Sequence, residues 1–348
     1  MLGSTLSAAA SSAAHSEKGL ADLLEPIAAD LPRVEEAIAC QVRRFDNRLG
    51  DYVRYILGGT GKRLRPSLAL LAGGSTGRVS DDHITLAVIV ELIHVATLVH
   101  DDVLDEADLR HQLPSSNSRW GNEISVLLGD CLFAHALRLA AGYPTTEVCR
   151  KISEATNTVC SGEILQTQRR FDLELTLDQY LGIVRMKTGA LFGVSCELGA
   201  MLNAAPAAAV KSLEEFGINL GIAYQIYDDC LDIFGQERQA GKSLGTDMKK
   251  GKLTLPFLLL LQHVGSDSRE ELGAMMFHND QHEQRRLLKL VLGNGVIGES
   301  LSTIDAYISR AHSNLADLPS NGHTRTLGAL TVYLADQSRL LLKEAAIP

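Results

Sequence analysis

An all-α chain, folded as a single helical bundle around a central cavity, is what this sequence predicts. Three observations carry that reading. Hydrophobic residues make up 45% of the 348 residues but aromatics only 5%; with Ala and Leu abundant, that mix favours helices over strands. Two long runs, Leu86–Val99 and Ile218–Phe234, are apolar on nearly every face, as helices in the middle of a bundle are. No stretch alternates with period two between hairpin turns.

The elements follow in chain order. Met1 to His15 is rich in Ser and Ala and has no charge before His15. It lacks the basic start and long apolar stretch of a signal peptide and the Arg content of a transit peptide. A disordered tail over residues 1–16 is expected, and the bundle over 17–348. Val34, Ile38, Val42, Phe45, Leu49, Val53 and Ile56 fall at steps of three and four, which predicts one amphipathic helix ended by Gly58-Gly59. Ser80-Asp81-Asp82 are capping candidates for the run Leu86–Val99. Glu123–Ala141, Leu177–Leu202 and Thr324–Glu344 also suit helices. Loops are expected at Gly73–Gly77, Ser115–Asn122, Gln236–Lys252 and Pro319–His323.

Composition excludes some functions. A formal net charge of -9 argues against a nucleic-acid partner. No segment reaches the ~18 uninterrupted apolar residues of a membrane span; Leu86–Val99 is broken by Glu91 and His94. The six cysteines, Cys40, Cys131, Cys149, Cys160, Cys196 and Cys230, form no CxxC pair. They read as free thiols, and the expected location is cytoplasmic.

The chemistry is carried by an internal echo. Asp101-Asp102-Val103-Leu104-Asp105 resembles Asp228-Asp229-Cys230-Leu231-Asp232, and each cluster ends one of the fully apolar runs. Residues at i and i+4 share a helix face, so Asp101 projects with Asp105, and Asp228 with Asp232. Such carboxylates facing one cavity would repel, at helix ends whose dipole is also negative. Mg²⁺ answers both, because it takes oxygen ligands, keeps several waters and bridges carboxylates to phosphates. One such cluster is as often a solvated helix end as a metal site; two, each after an apolar helix, favour metal. Zinc is disfavoured, since no Cys or His lies in ligand spacing.

Basic residues are the natural counterpart. Gly58-Gly59-Thr60-Gly61-Lys62-Arg63-Leu64-Arg65-Pro66 places three cations in a glycine-rich turn, where backbone N–H groups can approach an anion. A second basic glycine-rich stretch, with Lys242 and Lys252, follows the second Asp cluster. Lys187-Thr188 lies in a helical stretch, where a lysine is more often a surface residue than a ligand, but its apolar neighbours raise the functional reading.

These blocks, in this order from Gly58 to near Gln262, resemble the trans-prenyltransferase (polyprenyl synthase) family, trans-type isoprenyl diphosphate synthases that include medium- and long-chain polyprenyl and geranylgeranyl members. The resemblance implies the α-helical isoprenoid synthase fold, usually a homodimer. It implies a magnesium-dependent transfer that condenses isopentenyl diphosphate with an allylic diphosphate. About two to three Mg²⁺ ions are expected, with Mn²⁺ as a possible substitute. It further implies that Asp101 and Asp105, with Asp102, form the first metal site and Asp228, Asp229 and Asp232 the second. Lys62, Arg65 and His94 then resemble the isopentenyl diphosphate pocket. Arg110, Lys187, Thr188, Gln225, Lys242 and Lys252 resemble contacts to the allylic diphosphate, and Gln166 lines the cavity. Two other readings share parts of this pattern. A class I terpene cyclase would show a different second metal motif and no Gly-Lys-Arg turn. A non-catalytic subunit of a heteromeric synthase would not need both Asp clusters intact.

Two features bear on substrate and product. Where the family reads Arg-Arg-Gly after the first Asp cluster, this chain reads Arg110-His111-Gln112, and the second arginine of the family contacts isopentenyl diphosphate. His111 is mostly neutral at pH 7. His111→Arg is therefore expected to lower KM for isopentenyl diphosphate roughly tenfold, the worth of a charge-assisted contact, and to leave that for the allylic substrate alone. Steady-state kinetics check this, and an unchanged KM would mean that another cation fills the role. Short-product members place an aromatic floor one turn before the first cluster. Here Ala96 and Thr97 stand there, with Ile93 and Phe133 as deeper candidates, so a product longer than farnesyl diphosphate is expected.

Overall fold

The computed structural model describes residues 19–59, 61–110, 113–235, 246–277 and 281–345. The expected tail falls outside them, as do His111 and Lys242. The first expected helix is two. α1 (Leu31–Val42) and α2 (Gly50–Leu57) are separated by a bend and a 3₁₀ turn at Asn47–Leu49. Asp46 caps that turn, its carboxylate accepting from the Arg48 N–H at 2.9 Å. The turn keeps Val42, Phe45 and Leu49 packed against the core, which is why the apolar spacing runs through the break without a mark.

α3 (Leu64–Thr76) is buried over most of its length. It runs through Gly73 and Gly74, where a loop was expected. A Cβ on Gly73 would lie 2.3 Å from the His83 ring, and one on Gly74 2.2 Å from the His323 ring. These glycines serve close packing of two histidines, and the connection begins at Gly77. α4 (Asp81–Leu104) follows, its Ser80 N–H bonded to His83 Nδ1 at 3.2 Å. Asp81 and Asp82 occupy its first turn, where the dipole favours them. Among the described residues, α4 is the one helix long and apolar enough to cross a membrane, and 72% of its apolar window is buried inside the protein. It is the central helix of the bundle.

A two-residue hairpin pairs β1 (Leu109–Arg110) with β2 (Leu113–Pro114). α5 (Ser116–Trp120) occupies most of the expected loop at 115–122, and α6 (Asn122–Ala140) and α7 (Thr146–Gln168) complete this half. The stretch expected as one helix from Leu177 to Leu202 is interrupted. α8 (Leu177–Val184) and α9 (Ala190–Met201) are joined through a wide turn at Arg185–Gly189, in which the Ala190 N–H reaches back five residues to the Arg185 carbonyl. Such wide turns concentrate at functional sites, and this one carries Lys187 and Thr188.

α10 (Ala207–Phe234) is the second central helix and ends in the second Asp cluster. It packs closely on α9 because Gly217 and Gly221 leave no side chain between them. A Cβ on Gly217 would lie 2.5 Å from the Phe192 carbonyl oxygen, and one on Gly221 3.0 Å from the Gly189 Cα. That approach brings Thr188 against α10. The short α11 (Thr246–Lys249) lies in the expected loop at 236–252, and α12 (Leu255–His263), α13 (Ser266–Phe277), α14 (Gln281–Gly293), α15 (Val296–Ser313) and α16 (Gly322–Ala345) complete the bundle. The buried side chains form one continuous apolar core.

Candidate active site

Both Asp clusters sit at the C-terminal ends of the two central helices, α4 and α10. Their shared field is visible in the cations around them. Arg110, from β1, bonds Asp102 Oδ1 through Nε at 3.0 Å and Nη2 at 2.5 Å. Burial works against its charge, but Asp102, with Asp101 and Asp228 nearby, raises its pKa above the ordinary arginine value. One guanidinium thus feels both clusters. Lys187 forms an ion pair with Glu163 of α7, bonds Gln166 Oε1 at 2.9 Å and lies 3.9 Å from Asp101. Asp101 and Glu163 hold its pKa up against the opposing effect of burial.

Asp105 is held from two sides. Lys252 Nζ lies 2.6 Å from Oδ2, and Arg170 Nη2 2.9 Å from Oδ1. Burial alone would raise the Asp105 pKa, yet Lys252, Lys187 and Arg170 together keep it below the usual carboxylate value. Asp102 goes the other way: burial outweighs Arg110 and raises it.

The second cluster is more deeply set. Asp229 accepts from the Tyr180 hydroxyl at 2.5 Å and from Gln225 Nε2 at 2.8 Å, and Gln225 Oε1 in turn accepts from the Thr188 hydroxyl at 2.7 Å. This chain ties the wide turn to α10. Burial, reinforced by Asp247, pushes Asp229 well above the normal carboxylate range. Asp232, also buried, accepts from the Asp247 N–H at 3.2 Å. Asp228 is half-buried beside them.

Among the described residues, no three His, Cys, Asp or Glu side chains form a ready-made metal cage. Magnesium does not need one, because it binds through one or two carboxylates and completes its shell with water and phosphate. The half-buried Asp101, Asp105 and Asp228, with the buried Asp232, are the oxygen donor set that such an ion fits.

The structure unites Asp101, Asp102, Asp105, Arg110, Gln166, Lys187, Thr188, Gln225, Asp228, Asp229, Asp232 and Lys252 in contacts that link the two clusters. Lys62 and Arg65 both lie near Phe192, and His94 is half-buried on α4. Arg65 stacks on Phe192, its guanidinium carbon 4.9 Å from the ring centre, and its Nε is buried without a hydrogen-bond partner. Burial lowers its pKa to about 10, opposed by Glu91. Lys62 is exposed and borders a narrow apolar cleft with Phe192, Tyr224 and Tyr227. Glu163, Arg170, Tyr180 and Asp247 were not foreseen. Glu163 had a signal, lying 24 residues before Lys187 in a helix rich in polar residues; the others had none that spacing could give.

An all-α bundle with two Asp clusters ending its central helices is the architecture of an isoprenoid synthase. The sequence profile of the Polyprenyl synthetase family matches residues 46–291, and the chain belongs to that family, as an enzyme of the prenyltransferase type. It is similar to heptaprenyl diphosphate synthase component 2 of Geobacillus stearothermophilus, 36% identical over 88% of this chain and 95% of that protein. It is also similar to the nonaprenyl diphosphate synthase of Mycobacterium tuberculosis, 34% identical over 88% and 92%. Among solved structures it resembles a polyprenyl synthase from Caulobacter crescentus complexed with calcium and isoprenyl diphosphate. The TM-score is 0.85 at 32% identity, covering 90% of this chain and 97% of that one.

Proposed function

We propose that this enzyme condenses isopentenyl diphosphate with an allylic prenyl diphosphate, with magnesium, to make a trans-polyprenyl diphosphate longer than farnesyl diphosphate. The observation that carries the reading is the pair of Asp clusters joined by Arg110, Lys187 and Lys252, an arrangement suited to an anion bridged by metal. Asp101, Asp105, Asp228 and Asp232 would hold the ions, which would supply Lewis-acid neutralisation of charge on the departing diphosphate.

The chain's own residues do the rest. Lys187, Lys252 and Arg110, with Lys242, bind the allylic diphosphate and stabilise its growing charge as preorganised cations. Thr188 and Gln225 add hydrogen bonds, and their link to Asp229 and Tyr180 keeps them in place. Lys62, Arg65 and His94 bind the second diphosphate; the unpartnered Nε of Arg65 suits an anion. The allylic carbon–diphosphate bond breaks first, and the double bond of isopentenyl diphosphate then attacks the resulting allylic cation. The proton then lost goes to the released diphosphate, and the apolar walls keep water from the cation.

A homodimer is supported by an apolar surface on α6 and α7, where Ile124, Val126, Leu127, Ile164 and Leu165 are exposed. The free thiols of all six cysteines are compatible with a cytoplasmic enzyme. A second reading, one component of a heteromeric synthase, is favoured by the name of the Geobacillus relative. Purified chain assayed with isopentenyl diphosphate and labelled allylic primers tests all of this. Elongated, acyclic product from a protein that sediments as a dimer is expected. A cyclised hydrocarbon would overturn the reading, and no product from well-folded chain would favour the heteromer.

A further inference from the structure

Between Lys62 and Arg65 lies a third cation, Arg63, and it is engaged inside the protein. Its Nη1 lies 2.5 Å from Glu91 Oε1, its Nε 2.6 Å from Glu35 Oε1, and its Nη2 3.2 Å from Glu35 Oε2. Nη2 also reaches back across the turn to the Leu57 carbonyl at 3.5 Å. Glu91 sits in the middle of central helix α4, only 4% exposed, and three residues before His94. A carboxylate buried there is costly unless paired.

The backbone at Arg63 is equally unusual. It caps α3 with φ 48° and ψ 35°, the left-handed region that an L side chain with a full Cβ seldom adopts. Non-glycine residues held this way persist where surrounding contacts over-determine them. Here those contacts are the ion pairs. The residue's conformation sets the direction in which the chain enters α3, and so where its neighbours Lys62 and Arg65 project. Glu91 also acts electrostatically on Arg65, so one buried carboxylate serves both arginines.

We propose that Arg63 and Glu91 are positioning residues for isopentenyl diphosphate: their buried ion pair, braced by Glu35, holds residue 63 left-handed and so aims Lys62 and Arg65 at that substrate. This rests on the assignment of Lys62 and Arg65 to isopentenyl diphosphate, and the test separates the two. Glu91→Gln keeps the size and an acceptor for Nη1 but removes the charge. It should raise the KM and the calorimetric Kd for isopentenyl diphosphate ~10-fold, with the allylic KM within ~2-fold of the parent. Arg63→Lys, which keeps charge but loses the fork, should fall between. Arg63→Gly permits the left-handed backbone without the ion pairs and should be as impaired as Glu91→Gln. If Arg63→Gly binds like the parent, backbone geometry alone suffices and the ion pair has no positioning role. An equal rise in both KM values, or a lower melting temperature with both KM values unchanged, also overturns the proposal. Should Glu91→Gln fail to fold, Glu35→Gln, on the exposed side of the clamp, must show a smaller rise in the same direction. Lys62→Ala and Arg65→Ala report on the assignment itself: if neither weakens isopentenyl diphosphate binding, the assignment fails, whereas normal binding in the Arg63 and Glu91 variants alone removes only the clamp.

Discussion

Asp101→Ala and Asp228→Ala are expected to lower kcat by ~10³-fold or more while the fold survives. The size follows from what the carboxylates do. A metal that neutralises charge on a leaving diphosphate contributes several kcal/mol to the transition state, and ~1.4 kcal/mol is a factor of ten. Asp101 and Asp228 are half-buried, unlike the buried Asp102, Asp229 and Asp232. Neither side chain belongs to the apolar core, so melting temperatures should stay near that of the parent. Calorimetric titration of Mg²⁺ into protein with inorganic diphosphate should show weakened ion binding in both variants. A chelator should abolish turnover of the parent, and Mn²⁺ should restore it. Near-parental activity in either Asp variant would overturn the metal assignment.

The same clusters show why part of this site could be read from sequence and part could not. Asp101 with Asp105, and Asp228 with Asp232, are one helix turn apart, so local periodicity alone puts each pair on one face. Lys187 stood out because its neighbours are apolar. Nothing local announces that Arg170 and Lys252 meet on one carboxylate 65 and 147 residues away. The same holds for Tyr180 and Asp229, 49 residues apart, and for Arg63 and Glu91, 28 apart. Those pairings exist only once helices pack. The broken helices teach a related lesson. Asp46, a good cap followed by Asn47, was a usable signal for the division between α1 and α2, but the apolar spacing running through it dominated. The glycines of α3 misled in the opposite sense: punctuation in a chain of unknown fold, they are contact points for His83 and His323 in the folded one. The wide turn at Lys187 carries no breaker residue before Gly189, so the run read as continuous.

Thr97→Phe is expected to shorten the product. Thr97 precedes Asp101 by one helix turn on the same face of α4, and it is half-buried, whereas Ala96 beside it is fully buried. That difference assigns the two positions different fates. A cavity-facing side chain on the Asp101 face must retain some exposure, as Thr97 does, and its hydroxyl is already turned back to the His94 carbonyl at 2.7 Å. Phenylalanine at Thr97 therefore enters the cavity as a plug one turn below the metal site. Phenylalanine at Ala96 enters a packed core, where added volume commonly costs ~1–3 kcal/mol, so any shortening there should come with lowered stability. An extended isoprene unit is about as long as one helix turn, ~5 Å, so each turn left open admits about one more unit. With no aromatic side chain at 96 or 97, the parent chain should grow past farnesyl diphosphate, with a medium- or long-chain polyprenyl product favoured over geranylgeranyl. Phe133, packed partly buried against the core with its ring centre 5.6 Å from that of His100, and Ile93, two turns below Asp101, are the candidates for the natural floor. Phe133→Ala should lengthen the product if the first is the floor, and Ile93→Ala if the second is. Chromatography of the dephosphorylated products decides each case. A parent that makes only farnesyl diphosphate, or a well-folded Thr97→Phe enzyme with unchanged product length, would remove the tunnel from the α4 face while leaving the catalytic assignment intact.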